Sequence, residues 1–262
     1  MKIPDYIVQN GVFENSDDNI VFKGRVDEYK DDRTGENQRS VLYGEILFPD
    51  QLKTGRISFD VEFTDVCEES RCGVIFNYSN ENGIVKCHQA GLRNRMGAYT
   101  LDYFNGKNWE FLIASGQEGT IRKNQKYTVL IEITGNVLRL LINNVVVYKY
   151  SNLILSSGSS GIYVCNNADV KIKNIHLDIK KPTIFSIMKF EKDFDDLYHD
   201  VISPISEKYG YQPIRADECF TSSMIIQDII REISEASIII ADITMDNPNV
   251  FYELGYAHAL LT

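Results

Sequence analysis

The chain holds little that would carry it into a membrane or fit it for an oxidising compartment. No apolar run approaches the roughly 20 residues that a membrane-crossing helix requires. Met1-Lys2-Ile3-Pro4-Asp5-Tyr6 also lacks the apolar core of a signal peptide. Five cysteines are present: Cys67, Cys72, Cys87, Cys165 and Cys219. Their odd number and the absence of any CxxC pair speak against a disulfide framework or a zinc site. Buried, inert thiols and a cytoplasmic location are expected, with no metal and no cofactor. Basic charge is scarce too, since 27 Lys and Arg stand against 37 Asp and Glu for a net of −10. A duplex binder draws its affinity from clustered Lys and Arg, so neither nucleic-acid duplexes nor membranes are expected partners.

What is there suits a globular protein, with 44% hydrophobic and 24% charged residues in a chain of 262. That length allows one large or two ordinary domains. Acidity is uneven: residues 181–262 hold 6 basic and 14 acidic side chains. Such a shift marks a boundary, and the expected division is residues 1–180, a linker at 181–183, and residues 184–262.

The first part alternates with a period of two. Ile57, Phe59, Val61 and Phe63 interleave with Ser58, Asp60, Glu62 and Thr64, as in a strand with one buried face. Further runs follow at 72–78, 99–104, 109–114, 127–134, 137–142, 145–150, 161–165 and 170–177. Turn signals such as Asn80-Glu81-Asn82-Gly83 and Asn143-Asn144 separate them. Many short strands at this spacing predict an all-β sandwich. The order Gly55-Arg56-Ile57-Ser58-Phe59-Asp60 and then Cys72-Gly73-Val74-Ile75-Phe76 resembles concanavalin-like jelly rolls. The likeness extends through Gly161-Ile162-Tyr163-Val164, toward laminin-G-like and 3-keto-disaccharide-hydrolase-type domains. Trp109, Tyr99, Tyr103, His88, Arg93 and Arg95 are candidates for a sugar site there. The plainer reading distributes those aromatics in and out of the sandwich. Glu62, Glu110 and Glu132 supply carboxylates for hydrolysis, but spacing alone does not pair them.

The last 80 residues change period. Lys180-Lys181-Pro182-Thr183 reads as a linker, followed by an apolar run at Ile184–Met188. Asp193 is placed to cap a helix carrying Phe194, Leu197, Val201, Ile202 and Ile205. A strand at 212–216, a helix capped by Ser222 or Ser223, a buried strand at 237–241 and a helix opened by Pro248 complete the pattern. This β-α-β-α-β-α order predicts a parallel sheet, a flavodoxin-like α/β unit following the jelly roll. The chain stops at Thr262 inside the last helix, so the unit is expected to be incomplete, with a copy of the chain as one cover for its open edge.

The run Ala241-Asp242-Ile243-Thr244-Met245-Asp246-Asn247-Pro248-Asn249-Val250-Phe251-Tyr252-Glu253-Leu254-Gly255-Tyr256-Ala257-His258-Ala259 resembles the core motif of the nucleoside 2-deoxyribosyltransferase-like and TIR-like superfamily. Phe185–Phe190, Arg215-Ala216-Asp217-Glu218 and Ile226-Gln227-Asp228-Ile229 fit the same pattern. The resemblance implies catalysis at an N-glycosidic bond. Glu253 would be nucleophile or oxocarbenium stabiliser, assisted by Asp242 and Asp228. It also implies a pocket drawn from Ser186, Lys189, Phe190, Arg215, Asp217, Asn249, Tyr252 and Tyr256. The expected function is therefore a nucleotide- or nucleoside-directed N-glycosidase, with NAD among the candidate substrates. Its sandwich would recognise a carbohydrate or protein, and the chain would be a homo-oligomer. The alternatives are a non-catalytic module that senses nucleotides and binds carbohydrate or protein, and a sugar-processing hydrolase sited on the sandwich.

Overall fold

The computed structural model describes residues 3–16, 18–31, 33–151, 153–219, 225–244 and 246–260. The backbone forms two compact units. The first comprises residues 1–132, 139–150 and 155–179, and the second 133–138, 151–154 and 180–262.

Two seven-stranded sheets dominate. One contains β1 (Ile7–Asn10), β2 (Tyr43–Phe48), β3 (Arg71–Glu81), β4 (Ile84–Arg93), β5 (Tyr99–Phe104), β6 (Trp109–Ser115) and β7 (Ser159–Cys165). Their spatial order is β1-β2-β7-β3-β4-β5-β6, every neighbour antiparallel. The other sheet runs in the order Val145–Tyr150, Val137–Ile142, Lys126–Thr134, Thr54–Phe63, Val170–Lys180, Asn19–Phe22, Phe13–Ser16. Its central strand is the one the alternation predicted, with Ile57, Phe59, Val61 and Phe63 all buried. Each such side chain contributes roughly 1.5–3 kcal/mol of burial.

The inward face of the first sheet is fixed at Gly44. A Cβ there would stand 2.6 Å from the Phe22 ring and 2.8 Å from Phe13, both on the other sheet. Gly44, Ile46 and Phe48 therefore face the core. Alternation then turns Tyr43, Glu45 and Leu47 to the opposite, outer face. β3 and β4 are joined by Asn82 (φ 54°) and Gly83 (φ 82°), the two left-handed residues that a tight hairpin needs.

In the second unit, β8 (Thr183–Ile187), β9 (Gln212–Arg215) and β10 (Ile238–Ala241) form a parallel sheet in the order β9-β8-β10. The helices are α1 (Lys192–Leu197), α2 (Ser203–Lys208), α3 (Ala216–Cys219), α4 (Ile225–Glu235) and α5 (Pro248–Leu260), with a wider turn at Tyr198–Ile202 between α1 and α2. Phe185, Ile187, Ile229, Ile233 and Val250 form its core.

Several expectations need correction. The flavodoxin-like architecture is not reached, because the described sheet holds three strands only. β10 is an edge strand with Ile238 41% exposed rather than a strand buried on both faces. Asp193 sits inside the first turn of α1, and Glu191 takes the cap position without a side-chain bond. The capping serines Ser222 and Ser223 lie outside the described residues, as does the Cys219 side chain. Cys72, Cys87 and Cys165 are free and buried. Burial pushes the Cys87 thiol up to about 12 and that of Cys165 to about 11.

Candidate functional site

The outer face of the β1–β7 sheet is unusually polar for a covered surface. Strand register arranges it in transverse rows. One row reads Tyr43, Cys165, Arg71, Arg93. The next reads Glu45, Tyr163, Gly73, Gly91, Thr100, and the third Leu47, Gly161, Ile75, Gln89, Asp102, Phe111. A fourth places Cys87, Phe104 and Trp109 side by side.

Gly73 and Gly91 leave the middle of this face without side chains. A Cβ on Gly73 would stand 2.2 Å from the Ala90 carbonyl oxygen, and one on Gly91 would stand 2.5 Å from that of Cys72. The strands thus approach too closely here for any other residue. Over this floor the Gln89 amide donates to the Tyr43 hydroxyl at 2.6 Å. The Tyr43 hydroxyl in turn donates to Glu45. Tyr163, beside the floor, is 1% exposed.

Charge is concentrated toward one end. Arg93 approaches Asp102 at 3.4 Å, their side chains 12% and 2% exposed. The Thr100 hydroxyl donates to Asp102 at 3.3 Å. Burial raises the Asp102 carboxyl, opposed by Arg93, the Thr100 hydroxyl and Arg71. Burial likewise raises Glu45, opposed by the Tyr43 hydroxyl. Arg71 lies over the Tyr43 ring at 5.6 Å and Arg93 over Phe111 at 5.5 Å. Three buried atoms in this group have no hydrogen-bond partner: Arg71 Nε, Arg93 Nη1 and Asp102 Oδ1. Open valences of this kind cost free energy unless something fills them. Phe111, opposite Asp102 and under Arg93, is 49% exposed, and Trp109, two residues along the strand and 42% exposed, packs 5.1 Å from Phe104.

Of the sugar-site candidates in the sequence, Trp109 and Arg93 lie on this face, in its fourth and first rows. His88 and Tyr103 do not. They occupy the inward side, His88 stacked 5.2 Å from Phe76 and 4.6 Å from Tyr103. Tyr99 shares the inward parity of Tyr103, and Arg95 pairs with Glu68 at 3.4 Å. Glu62 is paired with Lys171, Glu110 accepts from the Asn105 amide, and Glu132 holds Arg56 and Arg139. Sequence reasoning missed Arg71, Asp102, Glu45 and Gln89.

In the second unit, Glu253, Asn249, Tyr252 and Phe190 line a cavity of about 880 Å³, together with Met188 and Ile226. Burial raises the Glu253 carboxyl. Its expected helpers are elsewhere occupied: Asp228 pairs with Arg231 at 2.9 Å, and Asp242 accepts the Thr244 N–H at 2.8 Å. Arg215 is held by Asp217 at 2.6 and 2.7 Å and by Asp195 at 2.8 Å, and it stacks on Tyr198 at 4.8 Å. Lys189 pairs with Glu191, Ser186 is buried in β8, and Tyr256 packs against the core. None of Asp228, Asp242, Ser186, Lys189, Arg215, Asp217 and Tyr256 is among the residues lining the Glu253 cavity.

No family model and no curated protein matches the chain. Among solved structures it is similar to the carbohydrate binding module CBM66 from Bacillus subtilis. That match has 13% identity and a TM-score of 0.51, over 66% of this chain and 94% of that one. The larger part of the chain is a β-sandwich jelly roll. Weaker likenesses are to the Bacillus licheniformis beta-glucanase (6% identity, 67% and 92% of the chains, TM-score 0.43) and the Caenorhabditis elegans galectin LEC-6 (13%, 57% and 96%, 0.36).

These findings overturn the nucleotide-directed N-glycosidase. The structural likeness is to a β-sandwich that is, by its name, a carbohydrate binding module, and the resemblance of residues 183–262 to nucleoside transferases finds no support. Physically, the Glu253 cavity has a mostly apolar lining and does not gather the carboxylates that the reaction was expected to use. A nucleotide partner has no support either. For location, no described helix is long and apolar enough to cross a membrane.

Proposed function

We propose that the sandwich is a carbohydrate-binding module whose ligand lies on the outer face of the β1–β7 sheet. The observation that carries this reading is the adjacency of the exposed aromatic plane at Phe111, with Trp109 two residues along the same strand, to buried polar groups with open valences at Arg93 and Asp102. A sugar ring presents both an apolar face, which stacks on an aromatic, and hydroxyls that donate and accept. Asp102 Oδ1 offers an acceptor and Arg93 Nη1 a donor. The solved module with this fold is, by its name, a carbohydrate binder.

Binding is favoured over hydrolysis by the layout of the acids. Glycosidic cleavage needs two carboxylates free to act at the scissile bond, and the Glu45 carboxylate is engaged by the Tyr43 hydroxyl. Asp102 is moreover committed to Arg93.

Trp109 is the single tryptophan of the chain, so its emission reports on this face alone. Titration with a panel of neutral and acidic oligosaccharides should give saturable changes in emission, matched by calorimetry. Phe111→Ala should weaken binding about tenfold, the worth of one aromatic stacking surface. Absence of saturable binding across the panel, or binding untouched by both Phe111→Ala and Trp109→Ala, defeats the proposal.

A further inference from the structure

Arg71 and Arg93 are direct register partners on β3 and β4. Like charges opposite one another on neighbouring strands are destabilising, and both guanidinia carry a buried N–H-bearing nitrogen without a partner. A feature that breaks a folding rule without local compensation is where function is to be sought. The compensation on hand is incomplete. Asp102 serves Arg93, whereas Arg71 has an aromatic ring and, among the described residues, no ion pair. Glu45 is tied to the Tyr43 hydroxyl, and neither it nor Glu69 pairs with either arginine among the described residues. Two fixed positive charges thus share one carboxylate in a largely covered setting, where an uncompensated charge is expensive.

We propose that Arg71 and Arg93 together form an anion subsite, so that this face takes glycans bearing a carboxylate or sulfate. The inference rests on the carbohydrate-binding reading of the same face and narrows it. Guanidinium N–H groups match the planar oxygens of a carboxylate and the tetrahedral oxygens of a sulfate, and charge-assisted bonds are about twice as strong as neutral ones. Asp102 Oδ1 remains an acceptor for a neighbouring hydroxyl, and Phe111 beside Arg93 stacks the ring that carries the anion. The stripe Tyr43, Arg71, Arg93, Phe111 then reads as two aromatic walls around two cations.

The test compares matched ligands: oligogalacturonate against its methyl ester, a sulfated oligosaccharide against its desulfated form, and a neutral glucan panel. The acidic member of at least one pair should bind about tenfold or more tightly, and that preference should shrink as NaCl rises from 50 to 500 mM, since the screening length is ~10 Å at 0.1 M salt and falls as salt rises. Arg71→Gln should abolish the preference while leaving the melting temperature close to wild type. Arg71→Lys, which keeps the charge but loses the fork, should retain only part of it and reads the same question should the glutamine variant not fold. Neutral and acidic members binding equally well would overturn the anion subsite and leave the carbohydrate reading standing. An acid preference unchanged in both Arg71 variants would overturn it as well. No binding by any glycan would remove the carbohydrate reading and this inference with it.

Discussion

Gln89 and Tyr43 meet at 2.6 Å although two strands, β7 and β3, lie between the strands that carry them. The bond crosses the middle of the outer face above Gly73, and it continues from the Tyr43 hydroxyl to Glu45. The relay ties one side of the face to the other and holds the Glu45 carboxylate in place.

Tyr43→Phe cuts this relay at its centre. It leaves the Gln89 amide and the Glu45 carboxylate unpartnered at little change in volume. Chemical denaturation should show a loss of about 1–3 kcal/mol, the penalty of orphaned buried polar groups. A double variant with Gln89→Leu should lose less than the sum of the two single variants, since both remove one interaction.

His88 makes the sandwich sensitive to acid. Burial holds its imidazole down at about 4, against 6.5 for the free side chain. Between those values the unfolded chain binds a proton that the folded chain refuses. Stability from this residue is therefore complete above about pH 6.5 and is lost as pH falls toward 4, by on the order of 3 kcal/mol. Urea midpoints measured at pH 4.5 and 7 should differ less in His88→Phe, which keeps the stack between Phe76 and Tyr103. An undiminished difference would assign the acid sensitivity to other groups.

Two glycines should respond with opposite sign to the same substitution. Gly73→Ala drives a methyl into the Ala90 carbonyl, a backbone atom that cannot swing aside. A loss of about 2–3 kcal/mol is expected, as for overpacking. Gly255, in α5, has nothing within 4 Å of its missing Cβ and no positive φ. Gly255→Ala should gain about 0.5–1 kcal/mol through helix propensity. Thermal melts of the two variants check both signs.

The architecture was largely readable because its signals are local. Alternation marked the strand Thr54–Phe63, and the run of turn residues at 80–83 marked the hairpin after β3. The site was much less readable. β4 went unrecognised as a strand: Ile84-Val85-Lys86-Cys87-His88-Gln89-Ala90-Gly91-Leu92-Arg93 is short of aromatics and interrupted by a glycine. Yet it supplies Gln89, Gly91 and Arg93. The signal available was Asn82-Gly83 with apolar residues directly after it. Arg71 and Asp102 were hidden for a different reason. Alternation shows that a strand has two faces, but only the register across five strands shows which polar residues share one. Tyr103 and His88 looked eligible for the same reason and proved to face inward.

The edge position of β10 has a consequence for the unfolded and partly opened chain. Ile238-Ile239-Ile240 is uncharged, free of proline, and paired on one side only among the described residues. Such a segment is a template for strand addition by other chains and for fibril growth. Glu232 and Glu235 precede it and Asp242 and Asp246 follow, charges placed where gatekeepers oppose such pairing. Solubility, more than stability, is then the property that replacing those carboxylates with neutral residues should cost first.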